Sequence, residues 1–422
     1  MKLTFFLISL LLVSSLFGEN GVGIVSENDS HTEKFRVVWS SDPTTEATIG
    51  WNQKKGEPGV VHFGTEDLGR KHHLYPETQK VDRSHRYTET INNCFVRLTG
   101  LTPNTRYFFC IKDAAGVSRR LSFLTASDEA KPFIFAAGGD SRNFRDVRVH
   151  ANQICAKLKP LFIAFTGDMI SKDTEEEWSE WFDDWQETID EEGSMIPIVA
   201  HRGNHERRLD SIHNYFDTPA DAYFDWAIGG DMFRYFALNS EIPANGKQGD
   251  WLQKRLKQYR GEVTHLVAGY HKPMRPHVSK KSEGDNPYLW ADIFYDCGLD
   301  LAIESDSHVM KRTLPLKPHD EGHEDFSVSL NDKNATVYIG EGCWGAPLRA
   351  ADDGKPWTIA TVSFNGFDWI RVTPKSIEVK TVRVGNTASI ESIDPQHPYT
   401  APTGLELWNP KGGRVLVIPG DR

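Results

Sequence analysis

The chain has no CxxC pair, no internal repeat, no low-complexity tract and no excess of basic residues. Each absence excludes something. Its five cysteines, Cys94, Cys110, Cys155, Cys297 and Cys343, stand far apart, so the sequence spells neither a zinc ribbon nor a disulfide scaffold. An odd count leaves at least one thiol unpaired. Cys94 and Cys110 could meet across a turn, but strand alternation puts Cys94 on the face of Val96 and Leu98, and Cys110 opposite Tyr107, Phe109 and Ile111. Buried structural thiols are expected. The formal net charge of −11 argues against nucleic acid as a stable partner, because such affinity comes largely from Lys and Arg neutralising phosphates. Long apolar runs are missing too, except at the start. Residues 1–18, MKLTFFLISLLLVSSLFG, hold one charge (Lys2), an apolar stretch from Leu3 to Phe17 and a terminal Gly18. That is short for a span of ~20 residues and has the pattern of a secretory signal cleaved near Gly18. An exported protein, periplasmic or secreted, with no membrane span after cleavage is expected; an uncleaved anchor is the rival.

What is present is ordinary globular material. With 422 residues, 39% hydrophobic and 25% charged, the chain suits two domains. From Lys34 to Ala126, short strand-like runs (FRVVWS, EATIGWN, VVHFG, CFVRLTGL, RYFFCI, RLSFLT) alternate with polar and Gly/Pro segments, which predicts an all-β sandwich over residues 34–126. ASDEAK is a linker. From Lys131 to Val384, strands alternate with helices, and the fold expected is an α/β domain. Helices are expected at Asp173–Glu192, with Trp178, Trp181, Trp185 and Ile189 on one stripe, at Gly249–Arg260 and at Pro287–Cys297. The carboxylates of the first helix read as a solvated face. Residues 385–422 lack periodicity and read as an ordered, irregular tail.

The chemistry concentrates at the ends of apolar runs. FIFAAGGD, LFIAFTGD, IPIVAHRGNHE and THLVAGYH end on Asp140, Asp168, Asn204-His205-Glu206 and His271, and Asp306-x-His308 is a fifth candidate. Such runs read as buried parallel strands, and ligands bind beyond the carboxyl ends of these. Oxygen donors and imidazoles brought to one edge suit a pair of divalent cations.

This order of motifs resembles the metallophosphoesterases and, with its N-terminal sandwich, the purple acid phosphatases in particular. Leu98 to Tyr107 is similar to the tyrosine corner of fibronectin type III domains. The resemblance implies a four-layer α/β domain, αββα, and roles: Asp168 bridging two ions, Asp140 and His308 completing one, Asn204 and His271 binding the other, and His205 contacting phosphate or protonating the leaving group. It implies hydrolysis of a small phosphorylated substrate by a metal-bound hydroxide, with a phosphomonoester first and a phosphodiester as alternative. A catalytically silent binding module is the reading from another class.

The pattern departs from purple acid phosphatases at three places. Ser171 stands where they carry a tyrosine ligand, Arg142 stands two residues after Asp140, and Asp306 replaces the first imidazole of His-x-His. The carboxylate at Asp306 favours hard ions, Mn²⁺, Mg²⁺ or Ca²⁺, over Zn²⁺, and iron is the family's other metal. Arg142 could fork to a substrate phosphate or pair with Asp140 or Glu206. His277, six residues after His271, is a candidate acid or phosphate contact. Arg202, Arg207, Arg208, Lys272 and Arg275 read mostly as surface charge, and His201 as a packed strand residue.

Overall fold

The computed structural model describes residues 27–88, 91–319 and 325–420; the apolar leader, residues 1–18, lies outside them. Eight strands come first: β1 (Thr32–Val38), β2 (Ala47–Gln53), β3 (Val60–Gly64), β4 (Glu77–Gln79), β5 (Arg83–Arg86), β6 (Asn92–Leu98), β7 (Arg106–Lys112) and β8 (Leu121–Leu124). Strands β4-β3-β7-β8 form one sheet. It shares a core with β2 and β6 through Ile49, Trp51, Val96, Val61, Phe109 and Phe123. At the start of β7 the Tyr107 hydroxyl accepts the Thr102 N–H at 2.9 Å.

Alternation of strand and helix then begins with β9 (Phe133–Gly138), α1 (Arg145–Leu158), β10 (Ile163–Phe165), α2 (Glu175–Trp185), β11 (Ile198–Ala200) and α3 (Ser211–Phe216). It continues through β12 (Phe224–Ile228), β13 (Phe233–Ala237), α4 (Lys247–Tyr259), β14 (His265–Gly269), α5 (Asp285–Tyr288), α6 (Ala291–Cys297) and β15 (Leu301–Glu304). The last strands are β16 (Met310–Thr313), β17 (Leu316–Pro318), β18 (Phe326–Val328), β19 (Val337–Gly340), β20 (Thr358–Val362), β21 (Gly366–Thr373), β22 (Ser376–Arg383) and β23 (Leu416–Pro419).

Strands β9, β10 and β11 run parallel, as do β13, β14, β15 and β19 in a second sheet. Period-2 alternation sorts their side chains. Ala136, Ile163, Phe165 and Ile198 share a cluster with Ile154 of α1 and Trp181 and Trp185 of α2. Phe135, Phe162, Ala164 and Val199 instead meet Phe233, Tyr235, Val267 and Ile303 of the second sheet. On that sheet Phe236, Ala268 and Ala302 pack with Leu252 and Leu256 of α4 and Phe294 of α6. Both parallel sheets therefore bring the carboxyl ends of their strands to one region.

Five details differ from the sequence expectation. The helix expected at Asp173–Glu192 is shorter, since Thr174 caps it by accepting the Glu177 N–H and a 3-10 turn, Gln186–Thr188, carries the chain off after Trp185. The helix expected at Gly249–Arg260 begins at Lys247, and Pro287–Cys297 divides into α5 and α6 around Trp290. The tail is not wholly irregular, because β23 pairs with β22 at the edge of the first sheet. Most consequential, β1 pairs in parallel with β11, Val38 opposite Ile198, so the first sheet runs β23-β22-β21-β9-β10-β11-β1-β2-β6-β5 across both sequence segments. All five cysteines are buried and free. Among the described residues no helix is long and apolar enough to cross a membrane.

Candidate metal centre

Every predicted ligand sits just past a strand end: Asp140 after β9, Asp168 after β10, Asn204 after β11, His271 after β14, and Asp306 and His308 after β15. The loops that aim them are tight. Asp140, Asp168, Asp306 and His308 all hold left-handed backbone, φ +57°, +56°, +68° and +58°, a conformation that costs about 1 kcal/mol or more for a residue with a Cβ. Glycine is required beside them, because a Cβ on Gly203 would lie 2.4 Å from the Asp168 nitrogen and one on Gly342 would lie 1.9 Å from Asp140 Oδ2. Glu206 fixes the turns by accepting the N–H groups of Asp168 (3.0 Å), Met169 (2.8 Å) and Gly203 (2.7 Å).

Asp140, Asp168, His271 and Asp306 bring one ligand atom each to within 4.8 Å of one another. His271 donates from Nδ1 to the Thr166 carbonyl at 2.8 Å. Its Nε2 then points at Asn204 Oδ1 (3.1 Å), Asp168 Oδ1 (3.3 Å) and Asp306 Oδ1 (3.7 Å). His308 is set the same way, Nδ1 donating to the Pro347 carbonyl at 2.6 Å and Nε2 lying 3.1 Å from Asp140 Oδ1. A ring nitrogen fixed by a carbonyl is how a ligand imidazole is oriented. Asp140 Oδ1 and Asp168 Oδ2 are buried and accept no well-formed hydrogen bond; the basic groups beside them are His308 Nε2, at 3.1 Å, and Arg142 Nε, at 3.4 Å. A buried carboxylate oxygen without such a bond is costly unless a cation meets it, so this donor set fits a divalent ion. The electrostatics agree. Burial works against a charged His271, yet Asp168, Asp140 and Asp306 outweigh it and raise its pKa to about 9. Burial likewise opposes ionisation of Asp140, and His308 and His271 overcome it to hold that carboxyl well below its usual range. The pocket demands positive charge.

Arg142, His205 and Lys281 border the cluster. His205 donates from Nδ1 to the Ser171 carbonyl at 2.6 Å and places Nε2 3.7 Å from Asp168 Oδ2. Arg142 pairs with neither Asp140 nor Glu206; its Nε lies 3.4 Å from Asp168 Oδ2 and its Nη2 3.3 Å from His308 Nε2. Lys281 donates to Asp306 Oδ2. His277 is not brought to the cluster. Its Nδ1 bonds Glu341 at 2.8 Å and its Nε2 bonds Thr358 at 2.7 Å, so the ring has no free nitrogen for a phosphate. His201 is the packed residue expected, bonded to the Tyr235 hydroxyl at 2.9 Å. Of the basic cluster, Arg202, Lys272 and Arg275 are engaged by the Glu206 carbonyl, Glu241 and Glu283.

A second buried layer was not apparent from the sequence. Lys311 pairs with Glu304 and, at 2.7 Å, with Glu341; Glu304 accepts the Tyr270 hydroxyl at 2.6 Å, and Glu341 accepts the His277 N–H at 3.0 Å. This network joins the strand ends that carry His271 and His308. The one trace of it in the sequence is acid at the end of apolar strands, LAIE and VYIGE.

Carboxylates, an amide and imidazoles at the carboxyl ends of parallel strands define an α/β protein with a metal-binding edge. The family follows from comparison. Residues 32–125 match the purple acid phosphatase N-terminal domain and residues 135–310 match the calcineurin-like phosphoesterases, so the chain carries the first of these domains followed by the second. Purple acid phosphatase 15 of Arabidopsis thaliana is 23% identical over 327 residues, 65% of this chain and 61% of the plant protein. An uncharacterised protein of Mycobacterium tuberculosis is 23% identical over 336 residues, 67% of this chain and 62% of its own. The chain thus spans about three fifths of the length of these relatives. Among solved structures, purple acid phosphatase PPD1 from yellow lupin seeds aligns with a TM-score of 0.68 at 15% identity, covering 89% of this chain and 76% of that one. PhoD aligns at 0.65 and 11% identity, covering 93% of each. At such identities both demonstrate a shared fold.

Proposed function

We propose that this chain is an exported, metal-dependent phosphomonoesterase. The observation that carries the reading is the buried cluster of Asp140, Asp168, His271 and Asp306, whose ligand atoms lie within 4.8 Å of one another, with Asn204 Oδ1 beside His271 Nε2. Asp168 lies between the Asp140–His308 side and the Asn204–His271–Asp306 side, so the donors have room for up to two ions drawn from Mn²⁺, Mg²⁺, Ca²⁺, Fe and Zn²⁺. A bound divalent ion supplies Lewis-acid polarisation of the phosphoryl group and a lowered pKa for the attacking water. The chain supplies the rest. Asn204 offers a neutral oxygen and so limits cancellation of the cation's charge. His205, with Nδ1 committed to Ser171, has Nε2 as its one proton-exchanging atom, at the mouth of the site, where it delivers a proton to the leaving oxygen. Tight loops and the Glu206 clamp hold these groups in place before substrate arrives.

The finer architecture belongs to the same reading. A fibronectin III-like sandwich over 34–126 is supported by the Tyr107 corner, and a four-layer αββα domain over 131–384 by the three core clusters. Export is supported by the sequence of residues 1–18. The test is hydrolysis of p-nitrophenyl phosphate by chelator-treated protein before and after loading with Mn²⁺. Activity restored by the metal and lost in Asp168→Ala is expected. No hydrolysis with any of the five metals would sink the proposal, and equal rates on bis(p-nitrophenyl) phosphate would move it to a phosphodiesterase.

A further inference from the structure

We infer that the Arg142 guanidinium takes the place of one of two cations at this centre, so that the protein binds a single divalent ion among Asp168, Asn204, His271 and Asp306. This rests on the phosphoesterase reading of the site. A first ion beside Asp140 would have to face Asp168 Oδ2 and His308 Nε2. Arg142 already faces both, Nε at 3.4 Å from the oxygen and Nη2 at 3.3 Å from the nitrogen. His308 bonds the Pro347 carbonyl through Nδ1, and its Nε2 sits between that guanidinium, at 3.3 Å, and Asp140 Oδ1, at 3.1 Å. The Arg142 side chain is 12% exposed, and a third contact, Nη1 to Asn143 Oδ1 at 3.2 Å, steers it.

Charge balance points the same way. Three carboxylates, Asp140, Asp168 and Asp306, meet two fixed cations, Arg142 and Lys281. With His271 neutral as the one imidazole ligand and His308 neutral beside Arg142, one divalent ion brings the pocket to about +1, a fair match for a phosphate ester. A second would raise it to about +3 with a guanidinium pressed against the carboxylate the ions share. Unlike an ion, Arg142 cannot be removed by a chelator or lose its charge at working pH.

The experiment counts metal in the full chain after dialysis against Mn²⁺, by mass spectrometry of the digested protein and by electron paramagnetic resonance. About one Mn²⁺ per chain with an uncoupled spectrum is expected for the native protein and for His308→Ala. Arg142→His and Arg142→Gly should each rise to about two with exchange-coupled signals. Two ions in the native protein with hydrolysis intact would overturn this inference alone. Both Arg142 variants staying at one would also overturn it. Loss of the ion in His308→Ala, with circular dichroism unchanged, would count against it equally. No bound ion and no hydrolysis would overturn it together with the phosphoesterase reading.

Discussion

His205 is aimed by backbone rather than by side chains. Its ring donates to the Ser171 carbonyl and its own N–H donates to Asp168 Oδ1 at 2.9 Å, so one residue ties the rim to the central carboxylate. Ser171 serves through its main chain, and the nearby phenol of Tyr270 is bonded to Glu304, behind the cluster. If His205 protonates the leaving oxygen, its loss should matter most where that oxygen is basic. His205→Ala is expected to lower kcat by about 10²-fold or more on an alkyl phosphate and much less on p-nitrophenyl phosphate, whose phenolate leaves unaided. Equal losses on the two substrates would show that His205 binds phosphate instead. The candidate ligands that the structure brings together stood out in the sequence because most end an apolar run and each type is a good donor. Arg142 was legible as a departure, but its partners were not, since nothing in Gly-Asp-Ser-Arg says which way a long side chain folds back.

At the scale of elements, β15, β16 and β19 carry charge into the protein's interior. Burial opposes the Lys311 cation, but Glu304 and Glu341 raise its pKa, while Lys311 and His277 hold Glu341 down at about 2 against its own burial. Read along the chain, MKRT and LAIE look like strand edges meeting water; only pairing across the sheet reveals that these groups neutralise each other. Lys311→Met leaves two carboxylates facing each other without a cation, and should destabilise the fold by about 3–5 kcal/mol, measured by urea unfolding. A cost under about 1 kcal/mol would mean that one Glu is already protonated. On β21, Asp368 poses the opposite case. Burial raises its pKa to about 6, against the Thr381 hydroxyl bond and Arg312 that lower it, and its Oδ2 has no partner. Because the folded value exceeds the unfolded one of 3.8, the native state favours the proton. The stability is fully present below pH 3.8 and lost as pH rises through about 6, at a cost near 3 kcal/mol. Asp368→Asn should therefore stabilise the protein by about 1–2 kcal/mol at pH 7.5, the amide's own unpaired N–H taking back part of the gain, and by nothing at pH 4. A gain independent of pH would refute the assignment.

For the whole molecule, the continuous sheet decides whether two sequence segments behave as two bodies. Composition and the ASDEAK linker suggest a sandwich joined to a separate α/β domain, and the chain order bears that reading. What the linker cannot reveal is that β1 finds β11, because a parallel pairing between residues so far apart leaves no local mark. The junction is well bonded. Arg36 is fully buried, donates to the Tyr215 carbonyl at 2.8 Å, and stacks on Phe182. Arg97 grips Asp217 through two bonds of 2.6 and 2.8 Å, and Trp39 lies against Phe162 and Trp226. A polar, sliding interface would let each part melt alone, whereas a shared sheet and a buried guanidinium make exposing one part strand the groups of the other. Residues 27–420 should therefore unfold in one calorimetric transition, with van 't Hoff and calorimetric enthalpies in agreement. Arg36→Ala, which takes the guanidinium donor from the Tyr215 carbonyl and from Asn93 Oδ1, should lower that single Tm rather than split it, by about 5 °C or more for a cost of several kcal/mol. Two resolved peaks in the native protein, the earlier one leaving bound Mn²⁺ in place, would show that the sandwich melts independently and that the β1–β11 pairing contributes little to holding the metal edge.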